Sequence, residues 1–177
     1  AKKYEGILFP DTYQIATKTT PQEIVDKLIK NYNNKLQEND IKVSQSDLIL
    51  ASIVEREAKN DEDRALIAGV FKNRLTIGMA LEADPTVQYA KEKGEKNNYN
   101  YWQELKLGDI TLSSPYNTYN NQELPPTPIC NPSLKSILAT VNYQPSNYYY
   151  FVHDKEGKAH FAKNVKEHNE NKEKYLN

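Results

Sequence analysis

The sequence predicts an α+β fold: one helix-rich domain over residues 1–177, with a small antiparallel β component and long ordered loops that form a cleft. Three observations lead there. Capping residues stand ahead of apolar stretches with helical spacing along much of the chain. One aromatic run near the C-terminus folds back over a short glycine turn, as a hairpin does. Helices and strands do not alternate regularly, which argues against a parallel βαβ sheet. A length of 177 residues suits one domain with a real core.

The elements follow in order. Residues 4–15, "YEGILFPDTYQI", read as extended segments broken at Pro10-Asp11. Thr20-Pro21-Gln22-Glu23 is a helix start, with a threonine cap, a proline at the first helical position and a glutamate placed for a capping box. That helix carries Ile24, Val25, Leu28, Ile29, Tyr32 and Leu36 on its apolar stripe and ends near Asn39. A second helix starts after Ser44 or Ser46. A third starts near Asp61, takes its apolar face from Leu66, Val70 and Phe71, and stops at Gly78. Asp84 caps a short helix that begins at Pro85. Residues 91–127, rich in Asn, Tyr and Pro, read as long ordered loops with one short helix around Trp102. Asn131-Pro132-Ser133 starts a helix through "LKSILATV". "NYYYFVHD", a "KEG" turn and "KAHFAK" form the hairpin, and Asn164 caps a last, polar helix ending near Tyr175.

Composition removes several function classes. A net charge of -1 gives no electrostatic case for nucleic acid. No apolar run approaches the roughly 20 residues that span a bilayer, and the start Ala1-Lys2-Lys3 does not read as a signal peptide. Cys130 is alone, so no intrachain disulfide forms, and burial suits it better than reactivity. His153, His160 and His168 lack the short spacings of zinc ligands, so no metal is expected. There is no glycine-rich phosphate loop and no serine nucleophile elbow. No cofactor is expected.

Three stretches carry chemistry. In "ASIVEREA", residues 51–58, an apolar helical run ends in Glu55, Arg56 and Glu57. Positions two apart lie about 200° around a helix, so Glu55 and Glu57 point to different faces. Burial beside apolar groups raises a carboxyl's pKa and makes it a general acid. Ion pairing with Lys59, Arg56 or Arg64 would make it structural instead. Position alone does not choose between the two glutamates. In "LEADPTVQYA", residues 81–90, Thr86 and Gln88 are neutral groups of the kind that hold sugar hydroxyls or amides. In the loop over residues 114–133, Tyr116, Asn117, Thr118 and Tyr119 would line a cleft for a neutral, amphipathic ligand such as a glycan.

Taken together, "EGILFPDTYQI", "LILASIVEREA", "VFKNRLTIGMALEADPTVQYA", "SPYNTYNNQELPPTPICNPSLKSILATV" and "YYYFVHDKEGKAHFAKNVKEHN" resemble the catalytic domain of the YceG-like endolytic murein transglycosylases. The blocks occur in the family's order and cover nearly the whole chain. The resemblance implies cleavage within peptidoglycan strands by a single glutamate, without water and without a cofactor. It implies that this glutamate is the first of the S-I-V-E-x-E motif, Glu55 here. Gln88, Tyr116, Asn117 and Thr118 become expected substrate contacts, and Asn73, Arg74 and Asn164 fall in matching motifs without an assigned role. The resemblance also implies a longer protein, with a membrane helix and a LysM-like part ahead of this domain. That protein would work at the extracytoplasmic face of the membrane beside peptidoglycan synthases. A non-catalytic glycan-binding domain and a hydrolytic muramidase are the alternatives. The muramidase would need a second carboxylate, for which Asp84 and Glu82 are the nearby candidates.

Overall fold

A computed structural model of the chain describes residues 4–94 and 102–176. Among these, six α-helices and one two-stranded antiparallel sheet form the regular structure, as an α+β fold requires. Helix α1 spans Pro21–Glu38. Its capping box closes both ways: the Glu23 backbone N–H donates to the Thr20 hydroxyl at 3.3 Å, and the Thr20 N–H donates to the Glu23 carboxylate at 2.7 Å.

Helix α2, Gln45–Glu57, is capped by Ser44, whose hydroxyl accepts from the Asp47 N–H at 3.0 Å. Leu48, Ile49, Leu50, Ala51, Ser52, Ile53 and Val54 are all buried. A helix apolar on every side belongs in the interior, and α2 packs between α3 (Arg64–Thr76) and α5 (Leu134–Val141). One core centres on Ile53, Val54, Ile67 and Phe71, and a smaller one on Leu48, Ala51 and Ile137.

Helix α3 begins at Arg64 rather than near Asp61. The Asp63 carboxylate does not cap it, and instead accepts from the Ala159 N–H at 2.9 Å. Its end is a Schellman motif, as expected. Gly78 takes φ +68, its N–H donates to the Leu75 carbonyl, and the Met79 N–H donates to the Arg74 carbonyl at 2.9 Å. Helix α4, Asp84–Gly94, starts at Asp84 itself.

Residues 102–133 are turns and irregular chain, with a single 3-10 turn at Asp109–Thr111. The short helix expected around Trp102 falls partly on 95–101, outside the described residues. Trp102 itself sits in a turn with φ +68. The extended segments expected at residues 4–15 form no strand, and residues 4–8 turn. The Gly6 and Leu8 N–H groups donate instead to the Asn131 side-chain oxygen, at 2.8 and 3.1 Å. Strands β1 (Tyr150–His153) and β2 (Ala159–Ala162) pair with Tyr150 opposite Ala162 and His153 opposite Ala159. Helix α6, Val165–Tyr175, packs against both strands, and Asn164 caps it by accepting from the Glu167 N–H at 3.0 Å. No described helix is long and apolar enough to cross a membrane.

Candidate active site

The two glutamates at the end of α2 have opposite surroundings. Glu55 faces the start of α5. One of its oxygens accepts from the Ser133 N–H at 3.1 Å, the Ser133 hydroxyl at 2.7 Å and the Ser136 hydroxyl at 2.6 Å. The Arg64 guanidinium lies 3.6 Å away. These contacts make Glu55 a clamp between α2 and α5, consistent with the structural reading of a glutamate at a helix end. Cys130 lies nearby, its thiol donating to the Ser52 carbonyl at 3.3 Å. Burial, with the Glu55 charge adding, pushes that thiol up to about 12, so it is not a nucleophile.

Glu57, on the other face, lines a cavity of about 520 Å³. Helix α3 contributes Arg74 to this cavity, the start of α4 contributes Asp84, and the following loop contributes Tyr119. The hairpin and α6 complete it. Loss of solvation on burial pushes the Glu57 carboxyl up to about 8, with the like charge of Asp84 adding to the rise and Lys59 and Arg74 opposing it. Asp84 accepts from the Tyr119 hydroxyl at 2.6 Å, and burial together with that bond raises the phenol's pKa. Glu82, also on the wall, adopts φ +49, a strained backbone for a residue with a side chain.

Arg74 is 7% exposed and braces this wall. Its guanidinium donates to the Tyr149 carbonyl at 2.6 Å, to the Ala80 and Leu81 carbonyls at 3.1 and 2.9 Å, and to the Glu82 carboxylate at 3.3 Å. It thereby ties the strained turn before α4 to the start of β1. Two imidazoles complete the lining. His153 Nε2 and His168 Nδ1 are buried without a hydrogen-bond partner among the described residues. Burial lowers both pKa values, helped by Lys59 at His153 and Lys172 at His168.

Of the residues expected to contact substrate, Arg74 and Tyr119 line this cavity, as do Asp84 and Glu82, the carboxylates of the muramidase alternative; the others do not. Asn117 has no exposed surface; its amide donates to the Ile110 and Leu112 carbonyls at 2.9 and 2.8 Å and accepts from the Tyr119 N–H at 2.9 Å. Thr118 is 1% exposed and bonds Thr86 and the Ala83 N–H. Tyr116 is buried against Tyr89, its hydroxyl 2.7 Å from that of Thr127. Gln88 donates to the Gln103 carbonyl at 2.8 Å. Asn73 holds the Ser146 and Tyr148 carbonyls, and Asn164 is the α6 cap. These side chains hold the backbone of loops and a helix end rather than lining the cavity. Sequence reasoning missed Tyr150, His153, His168, Asn169 and Lys172, all from the C-terminal third. Their only signal was the hairpin preceding a polar helix, which does not reveal which face meets α2.

A model described as the YceG-like family matches residues 1–174. An endolytic murein transglycosylase from Bacillus subtilis (strain 168) is 38% identical over 180 residues, 97% of this chain and 48% of that protein. One from Streptococcus pneumoniae (strain ATCC BAA-255 / R6) is 37% identical over 183 residues, 99% of this chain and 33% of that protein. The crystal structure of a YceG-like protein from Listeria monocytogenes matches with a TM-score of 0.78 at 36% identity, over 94% of this chain and 55% of that one. The chain thus spans between a third and about half of the length of these relatives. The likeness of fold and the match across almost the full length lead to one assignment: the chain belongs to the YceG-like family.

Proposed function

We propose that this chain is the catalytic domain of an endolytic murein transglycosylase and that Glu57, rather than Glu55, is its acid and base. The observation that carries the reading is a carboxyl raised to about 8 on the wall of a cavity. The names of the relatives supply the reaction class. A raised carboxyl is protonated at neutral pH and available to donate. Glu57 gives its proton to the glycosidic oxygen between N-acetylmuramic acid and N-acetylglucosamine. The bond from that oxygen to C1 of the muramic acid breaks, and N-acetylglucosamine leaves as an alcohol. The ionised Glu57 takes the proton from the C6 hydroxyl of the same muramic acid, and that oxygen bonds C1. A 1,6-anhydro ring forms, Glu57 is protonated again, and no water is consumed. The nucleophile is part of the substrate, so its proximity is built in.

One observation favours a second reading, hydrolysis. Asp84 lines the same cavity and its charge acts on Glu57, so a carboxylate is at hand to activate a water. Digestion of peptide-bearing murein followed by mass spectrometry of fragment ends separates the two. Anhydro-muramic ends support the transglycosylase, reducing ends support the hydrolase, and binding without cleavage leaves a glycan-binding module. In the longer protein, the domain would act outside the cytoplasmic membrane, held there by a segment outside this chain and working beside peptidoglycan synthases.

A further inference from the structure

We infer that the α6 wall of the cavity, Lys172 with Asn169 and His168, is a subsite for a carboxylate of the peptide stem carried by the muramic acid at the scissile bond. This rests on the cavity being a peptidoglycan site. The ionisable groups that line the cavity beside Glu57 lean acidic: Glu82 and Asp84 line it, the Arg74 guanidinium is already engaged by three carbonyls and Glu82, and Lys59, whose charge also acts on Glu57, is outside the lining. Neutral sugar hydroxyls tolerate that wall, whereas an anionic substituent is repelled from it. Lys172 lines the same cavity and makes no ion pair among the described residues. Beside it stand the Asn169 amide and His168, whose Nδ1 is buried without a partner. A cation and an amide donor on one helix face, beside an imidazole ring, form a donor set for a carboxylate. In peptidoglycan the anionic substituent is the stem peptide, attached to the muramic acid through its lactyl group.

The test measures binding of peptide-bearing glycan oligosaccharides to the Glu57→Gln chain by calorimetry. One preparation keeps its stem carboxylates and the other has them converted to amides. The preference for the free acid over the amide is expected to be about fivefold, since Lys172 is exposed and its pairing is screened. In Lys172→Met the ratio falls to near one, and Lys172→Arg restores it. An unchanged ratio in Lys172→Met, or no preference in the parent, overturns the subsite while leaving the glycan site in place. Binding of neither preparation overturns both. Mass spectrometry of the recovered oligosaccharides checks that none was cleaved, so that the readout is binding.

Discussion

The Tyr119 hydroxyl donates a 2.6 Å hydrogen bond to Asp84, on the wall of the cavity that Glu57 shares. This bond fixes a negative charge where it acts on Glu57. Burial is the larger cause of the raised Glu57 pKa, and Asp84 is the second. Asp84→Asn therefore lowers the Glu57 pKa from about 8 without returning it to the ordinary 4.5. The alkaline limb of the cleavage-rate profile shifts to lower pH. Cleavage itself continues in this variant. Its complete loss would instead favour hydrolysis through Asp84.

Stability carries the same signature. At and below the unfolded-state pKa of about 4.5, Glu57 tends to be protonated in both states. Between there and about 8, the folded chain keeps a proton that the unfolded chain has lost, so the Glu57 contribution falls as pH rises. His153 and His168, with lowered pKa values, act in the opposite direction over part of this range. The measurement is therefore a difference: Tm against pH for the parent minus that for Glu57→Gln. The difference is expected to decline towards pH 8 and then level off.

Asn117 provides a contrast between building a site and touching a substrate. Asn117→Ala leaves the Ile110 and Leu112 carbonyls and the Tyr119 N–H without their buried partner. The expected loss is about 3 kcal/mol. Denaturant unfolding would show it as a lower midpoint with an unchanged m value. Protein that remains folded should keep the parent KM.

Local signals in the sequence were easy to read because their physics is local. The Thr20–Glu23 capping box, the Ser44 and Asn164 caps, the Gly78 stop and the hairpin about Gly157 each depend on a few neighbouring residues. The all-apolar run through Leu48–Val54 marked α2 as buried, and helical geometry put Glu55 and Glu57 on different faces. Which face met the cavity was not legible. That depends on α5 docking its first turn against Glu55 and on the hairpin and α6 closing over Glu57, contacts between residues far apart in the chain. In sequence the Tyr-Asn loop reads as a ligand surface, because amides and aromatics serve that purpose. In the fold most of those groups satisfy the backbone of their own irregular loop, which has no ladder to do so. Tyr119 is the member of that stretch that reaches the cavity.

The most direct test compares Glu57→Gln with Glu55→Gln, each assayed for murein cleavage and for Tm. Glu57→Gln is expected to lose at least about a hundredfold in rate and to keep its fold. Glu55→Gln should keep most of its rate and melt lower, because a charged acceptor of three hydrogen bonds has become neutral. Full loss of cleavage in a folded Glu55→Gln, with an active Glu57→Gln, would contradict the assignment.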